Sequence, residues 1–190
     1  MKTHHTAVVL IPPPKVWEPI QAIRRVHDKQ VRRWMPHITL LYPFRPLEEL
    51  PAMARSLTTA LRPLAPFPVE LEELHFFRHG PRSHTIWLAP EPAGPLVALE
   101  AALRAAAPDC DEQARHEGGF HPHLSVGQFG GRAEEVPAFI DSLSAGWRPL
   151  RFVASVVSLI ARGDPPDDVF AVEAEVPLGG PVPGEESRGA

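Results

Sequence analysis

The chain has a single cysteine, Cys110, among its 190 residues. That excludes a disulfide framework and a thiolate zinc centre within one chain. It also lacks a long hydrophobic run: no stretch approaches the ~18 apolar residues of a membrane span, and no signal peptide is visible. A soluble, cytoplasmic, monomeric protein without membrane contact is therefore expected. Positive charge is not in excess either. The 19 Lys and Arg are outnumbered by 23 Asp and Glu, giving a formal charge of −4 and a pI near 6.2. A dedicated duplex-DNA binder needs a basic surface and is excluded. A small phosphate-bearing ligand in a local basic pocket is not.

With 44% apolar and 22% charged residues, the chain can build a full core. Its 24 prolines and 13 glycines punctuate the elements without making the whole chain low-complexity. The segment 6–11 (TAVVLI) reads as a buried strand ended by three prolines. Val16, Ile20, Ile23, His27, Val31 and Trp34 share one side of a 3.6-residue wheel, so a helix is expected over 16–34, with Arg25, Lys29, Arg32 and Arg33 on its solvent side. Then follow a strand at 37–44, a helix near 48–62, and a half-exposed strand at 67–77 with a hairpin partner at 84–88. A helix over 96–107 is stopped by Pro108. A strand at 123–129, a helix at 134–147 and strands near 151–160 and 168–176 complete the pattern. Residues 179–190 (GGPVPGEESRGA) have no hydrophobic period and read as a disordered tail, leaving 1–178 as a single bilobal unit.

Sliding the sequence by 86 residues lays 36–64 on 122–150 without a gap, with 11 identities in 29 positions. Pro36-His37 falls on Pro122-His123, Glu48-Glu49 on Glu134-Glu135, Pro51-Ala52 on Pro137-Ala138, Ser56-Leu57 on Ser142-Leu143, and Arg62-Pro63-Leu64 on Arg148-Pro149-Leu150. The stripe Leu50, Met53, Leu57, Leu61, Leu64 is echoed by Val136, Phe139, Leu143, Trp147, Leu150. The duplicated unit reads as strand, helix, strand, strand. Two copies are too few for a solenoid, so two pseudo-symmetric lobes facing each other are expected.

Each copy carries Pro-His-Φ-[Thr/Ser]-Φ, where Φ is apolar: Pro36-His37-Ile38-Thr39-Leu40 and Pro122-His123-Leu124-Ser125-Val126. Side chains alternate faces along a strand. His37 and Thr39 therefore share one face and Ile38, Leu40 and Tyr42 the other; His123 and Ser125 repeat this. Duplicates diverge freely where only packing matters, yet both keep an imidazole beside a small hydroxyl in an otherwise apolar strand.

This pair of motifs, with matching flanks, resembles the two-histidine (2H) phosphoesterase superfamily, and within it the bacterial RNA 2′,3′-cyclic phosphodiesterase and 2′-5′ RNA ligase-like branch. The resemblance extends from the first strand to about residue 178. It implies an α+β fold of two βαββ-type lobes, their antiparallel sheets facing a central groove with helices outside. It also implies cofactor-free, metal-independent chemistry on RNA with a 2′,3′-cyclic phosphate end or on a cyclic nucleotide. His37, His123, Thr39 and Ser125 are the expected catalytic residues. Opening a cyclic phosphate needs a proton taken from water and another given to the departing ribose oxygen. Histidine titrates near neutrality and suits both tasks, while the hydroxyls can hold the phosphoryl oxygens as charge grows there. The sequence does not assign base and acid to the two histidines.

Arg78, His79, Arg82 and His84 crowd the hairpin tip, with no carboxylate from Leu74 to Pro90. Arg78 and Arg82 are candidates for a lip over an RNA phosphate, as are Arg32 and Arg33 ahead of the first motif. Phe129, on the face of His123, is placed to stack on a base, whereas Tyr42 and Trp87 read as core. A metal site at His121-Pro122-His123 or His4-His5 lacks zincin spacing and supporting Cys or Asp. A histidine triad would need His at 125, which is Ser. A non-catalytic RNA- or nucleotide-binding module in the same groove is the remaining rival.

Overall fold

The computed structural model describes residues 1–115 and 118–179. Its elements are β1 (Thr6–Leu10), α1 (Trp17–His27), β2 (Ile38–Leu41), α2 (Leu50–Leu61), β3 (Phe67–Gly80), β4 (Ser83–Glu91), α3 (Ala93–Ala106), β5 (Leu124–Phe129), α4 (Val136–Ser144), β6 (Leu150–Ala154), β7 (Val156–Ala161) and β8 (Ala171–Pro177). They form two four-stranded antiparallel sheets, ordered β2-β1-β7-β8 and β5-β4-β3-β6. This is the expected α+β, two-lobed architecture. The motif strands β2 and β5 occupy equivalent edge positions, each beside the strand that precedes it by one helix.

The repeat runs deeper than sequence identity shows. β1-α1-β2-α2 and β4-α3-β5-α4 are topologically matched, and a 3₁₀ turn precedes each second helix, at Leu47–Glu49 and Ala133–Glu135. Pro51 and Pro137 sit in the first turn of α2 and α4, where a missing N–H loses no intrahelical bond. Both apolar stripes pack into one core in which Leu57, Leu61, Leu99, Leu124 and Val126 are fully buried.

Three expectations are corrected. The helix expected over 16–34 ends at His27, because Asp28 is extended and its carboxylate accepts from Arg24 Nε at 2.8 Å and from the Gln30 N–H at 2.8 Å. Short acidic side chains compete with helix propagation in this way. The single strand expected at 151–160 is two, β6 and β7, which belong to different sheets. Ser155 is the crossing point between them, and its carbonyl accepts the Leu178 N–H. Of the expected tail, only Gly179 is described, its N–H donating to the Leu61 carbonyl; residues 180–190 lie outside the described residues.

The third correction concerns alternation. Between β1 and β2 the register steps from Val9↔Thr39 to Val8↔Leu41, leaving Leu40 as an extra residue. Between β4 and β5 it steps from Trp87↔Ser125 to Ile86↔Gly127, leaving Val126 extra. Leu40 and Val126 are equivalent in the repeat, so the same one-residue bulge was duplicated with the motif. A bulge reverses the side-chain phase beyond it. Tyr42 therefore joins a groove-side cluster with Val9, Trp34 and Phe170 instead of the main core. Phe129 turns the other way, packing on the main core and stacking on Phe139 of α4 with ring centroids 4.4 Å apart.

Candidate active site

The two histidines sit immediately before their strands and are oriented by one repeated device. His37 Nδ1 lies 2.7 Å from the Met35 carbonyl oxygen, and His123 Nδ1 lies 2.8 Å from that of His121. A carbonyl can only accept, so Nδ1 carries the proton in both rings and Nε2 is the nitrogen that gains or loses one. The partner is two residues upstream in each case, and a buried proline, Pro36 or Pro122, stands between. Proline fixes φ and restricts its predecessor to extended backbone, which turns that upstream carbonyl toward the imidazole. His37, Thr39, His123 and Ser125 are half-buried, while Ile38, Leu40, Leu124 and Val126 beside them are buried.

β2 and β5 approach each other across the groove although they belong to different sheets. A cavity of about 200 Å³ there is lined by His37 and Ser125 from the two motifs, with Trp34, Arg24, Asp28, Gln30, Thr85 and Gln128. His37 stacks on the Trp34 indole at 4.6 Å. His123 is met edge-on by Phe77 at 5.0 Å and by Trp87 at 6.1 Å. Trp87 is buried, as expected of a core residue, but it lies in this aromatic layer with Phe77 and His121.

Burial pushes the pKa of His37 down to about 4, opposed by its bond to Met35 and reinforced by the positive charges of Arg24 and His123. His37 is thus neutral at pH 7. An unfolded chain would protonate this residue near 6.5, so between pH 6.5 and 4 the unfolded state binds the extra proton. Stability attributable to this group is complete above pH 6.5 and falls as pH drops toward 4, on the order of 3 kcal/mol in total. Urea denaturation at pH 7 and pH 4.5 should show that loss in the wild type and a smaller one in His37→Gln. Equal losses would contradict the shift.

The remaining candidates are placed differently. Arg32 and Arg33 both bind the buried Asp168, at 2.5 and 2.8 Å, and their hydrogen bonds, Arg32's first, hold its carboxyl below the usual range. Arg78 and Arg82 stand at the hairpin tip, away from the cavity lining, with Arg82 Nε 3.3 Å from the Gly130 carbonyl. His84 is buried rather than on a lip. Sequence reasoning missed Arg24, Asp28, Thr85 and Gln128. Gln128 was findable in principle, since it occupies the repeat position of Tyr42, but only the bulge turns it into the cavity.

The two edge strands bring His37 and Ser125 to one groove, with Thr39 and His123 at the equivalent positions of the duplicated motifs. The family model of the 2′-5′ RNA ligase superfamily matches residues 12–166, and the chain belongs to that superfamily. It is 29% identical over 122 residues to the Geobacillus kaustophilus protein named "Putative phosphoesterase GK0864", a match covering 64% of this chain and 67% of that one. In fold it is similar to TT0787 of Thermus thermophilus, with a TM-score of 0.62 at 23% identity, over 95% of this chain and 99% of that one. E. coli LigT complexed with 3′-AMP is equally similar, at 0.62 and 17% identity, over 94% and 99% of the two chains.

Proposed function

We propose that this protein hydrolyses 2′,3′-cyclic phosphate ends of RNA or nucleotides to phosphomonoesters, using His37 and His123 as a general base and acid pair. The observation that carries the reading is the repeated clamp of Nδ1 by the carbonyl two residues upstream, which assigns proton exchange to Nε2 in both rings, beside Thr39 and Ser125. His37, neutral at pH 7, suits the base: its Nε2 takes a proton from water as the water oxygen attacks phosphorus. His123 then gives its Nε2 proton to the ribose oxygen as the ring P–O bond breaks. Thr39 and Ser125 donate to the non-bridging oxygens, whose charge grows in the transition state. Run backwards with a 5′-hydroxyl in place of water, the same site would join a 2′-5′ linkage. The 3′-AMP bound by LigT is the kind of monoester that hydrolysis would release. The scheme uses no metal. Among the described residues, no group of three or more His, Cys, Asp and Glu side chains could hold one.

The deciding experiment follows nucleoside 2′,3′-cyclic monophosphates and cyclic-phosphate-ended oligonucleotides in EDTA, with products resolved as 2′- or 3′-phosphates. Turnover in EDTA is expected. Activity abolished by EDTA would replace the two-histidine scheme with metal catalysis, and binding without turnover would leave a nucleotide-binding module. Thr39→Ala and Ser125→Ala should each lower kcat by less than a histidine deletion, costing a few kcal/mol of transition-state stabilisation at most, roughly 2.7–4 for one lost oxyanion donor.

A further inference from the structure

Arg24 is buried to 2% exposure on α1 and lines the cavity, yet each of its three guanidinium nitrogens is engaged within the protein. Nε bonds Asp28 at 2.8 Å, Nη1 bonds the Gln21 side chain at 3.0 Å, and Nη2 bonds the Trp34 carbonyl at 2.8 Å. Asp28 in turn accepts from Gln128 Nε2 at 3.2 Å, and Gln128 Oε1 accepts the Lys29 N–H at 2.9 Å. Gln128 stands on β5, in the opposite sheet. The chain leaving α1 is therefore gripped at three stations. Lys29 and Asp28 are held by the second lobe through Gln128, and Trp34 is held by Arg24. Trp34 stacks on His37, and the next residue, Met35, supplies the carbonyl that sets the His37 tautomer.

We propose that Arg24, acting with Asp28 and Gln128, is a positioning residue for His37, fixing the ring in place by tying its supporting segment across the groove. A buried ion pair is a weak source of net stability, which makes a role in geometry the more economical account of its place here. Fixed orientation is worth much in catalysis, since ~1 Å of misplacement can cost ~10²-fold. The charged and titratable groups acting on His37 are Arg24 and Asp28 from α1 and its exit and His123 from the entry to β5, with Arg24 and Asp28 of opposite effect.

The inference rests on the acid–base role of His37 and is tested apart from it, by NMR titration of the His37 ring alongside turnover of a nucleoside 2′,3′-cyclic monophosphate. Arg24→Gln should raise the His37 pKa from about 4 and lower kcat by ~10–10²-fold. Arg24→Lys should restore the pKa but not the rate, because an ammonium keeps the charge without the fork. Asp28→Asn should move the pKa the opposite way from Arg24→Gln. A folded Arg24→Gln protein with unchanged titration and kcat would overturn the proposal. Should Arg24→Gln not fold, Gln128→Leu takes its place: an undiminished kcat there overturns it equally. An active His37→Ala would instead overturn the functional reading itself.

Discussion

His37→Ala is expected to cut turnover of a nucleoside 2′,3′-cyclic monophosphate by ~10²–10⁴-fold, the usual worth of a positioned acid or base, and His123→Ala to do the same. The two losses differ in how they respond to the leaving group. A p-nitrophenyl phosphodiester departs without needing a proton, so it should recover much of the rate in His123→Ala. It should recover little in His37→Ala, where water still lacks a proton acceptor. Wild-type rates in either variant would remove that histidine from the mechanism, and the reverse rescue pattern would exchange the two roles. Both rings are half-buried and not fully enclosed, so circular dichroism and Tm should change little at pH 7.

The largest structural effect is expected from Gly127→Ala. A Cβ at this position of β5 would lie 2.6 Å from His27 Cβ and 3.0 Å from the His27 carbonyl oxygen. Carbon atoms do not approach so closely, and backbone at the end of α1 cannot swing aside as a flexible side chain would. Overpacking of this kind costs ~1–3 kcal/mol. The residue is glycine because the end of a first-lobe helix rests directly on a second-lobe strand. Yielding would push His27 away and carry the neighbouring Asp28 with it, so kcat should fall along with stability. Chemical denaturation and steady-state kinetics on one preparation check both, and unchanged stability would mean that the helix has room to retreat.

Much of this is legible in the chain. The 86-residue offset exposes the pairing of His37-Thr39 with His123-Ser125, and those four residues do stand on or at the entry to edge strands across a groove. What alternation cannot supply is the phase beyond Leu40 and Val126. A bulge is a mismatch between two strands, and one strand's pattern carries no trace of its partner's register. Tyr42 and Phe129 are consequently read from sequence on each other's side. Arg24 is hidden for a related reason. Arginine on a wheel reads as solvated, and only the turn at Asp28, 4 residues on, reveals the carboxylate that lets it be buried. Ser155 likewise gives no warning in composition that two consecutive strands part company there.

Because β2 and β5 are the outermost strands of their sheets, each is fastened by a ladder on one side only. Among the described residues no ladder joins β2 to β5, so the relative placement of the two motifs rests on packing between the sheets. That placement is held by the single core both lobes share, and near the site by Gln128 and the seat of α1 on Gly127. The width of the groove between the two motifs is therefore set by side-chain packing and not by a hydrogen-bonded ladder.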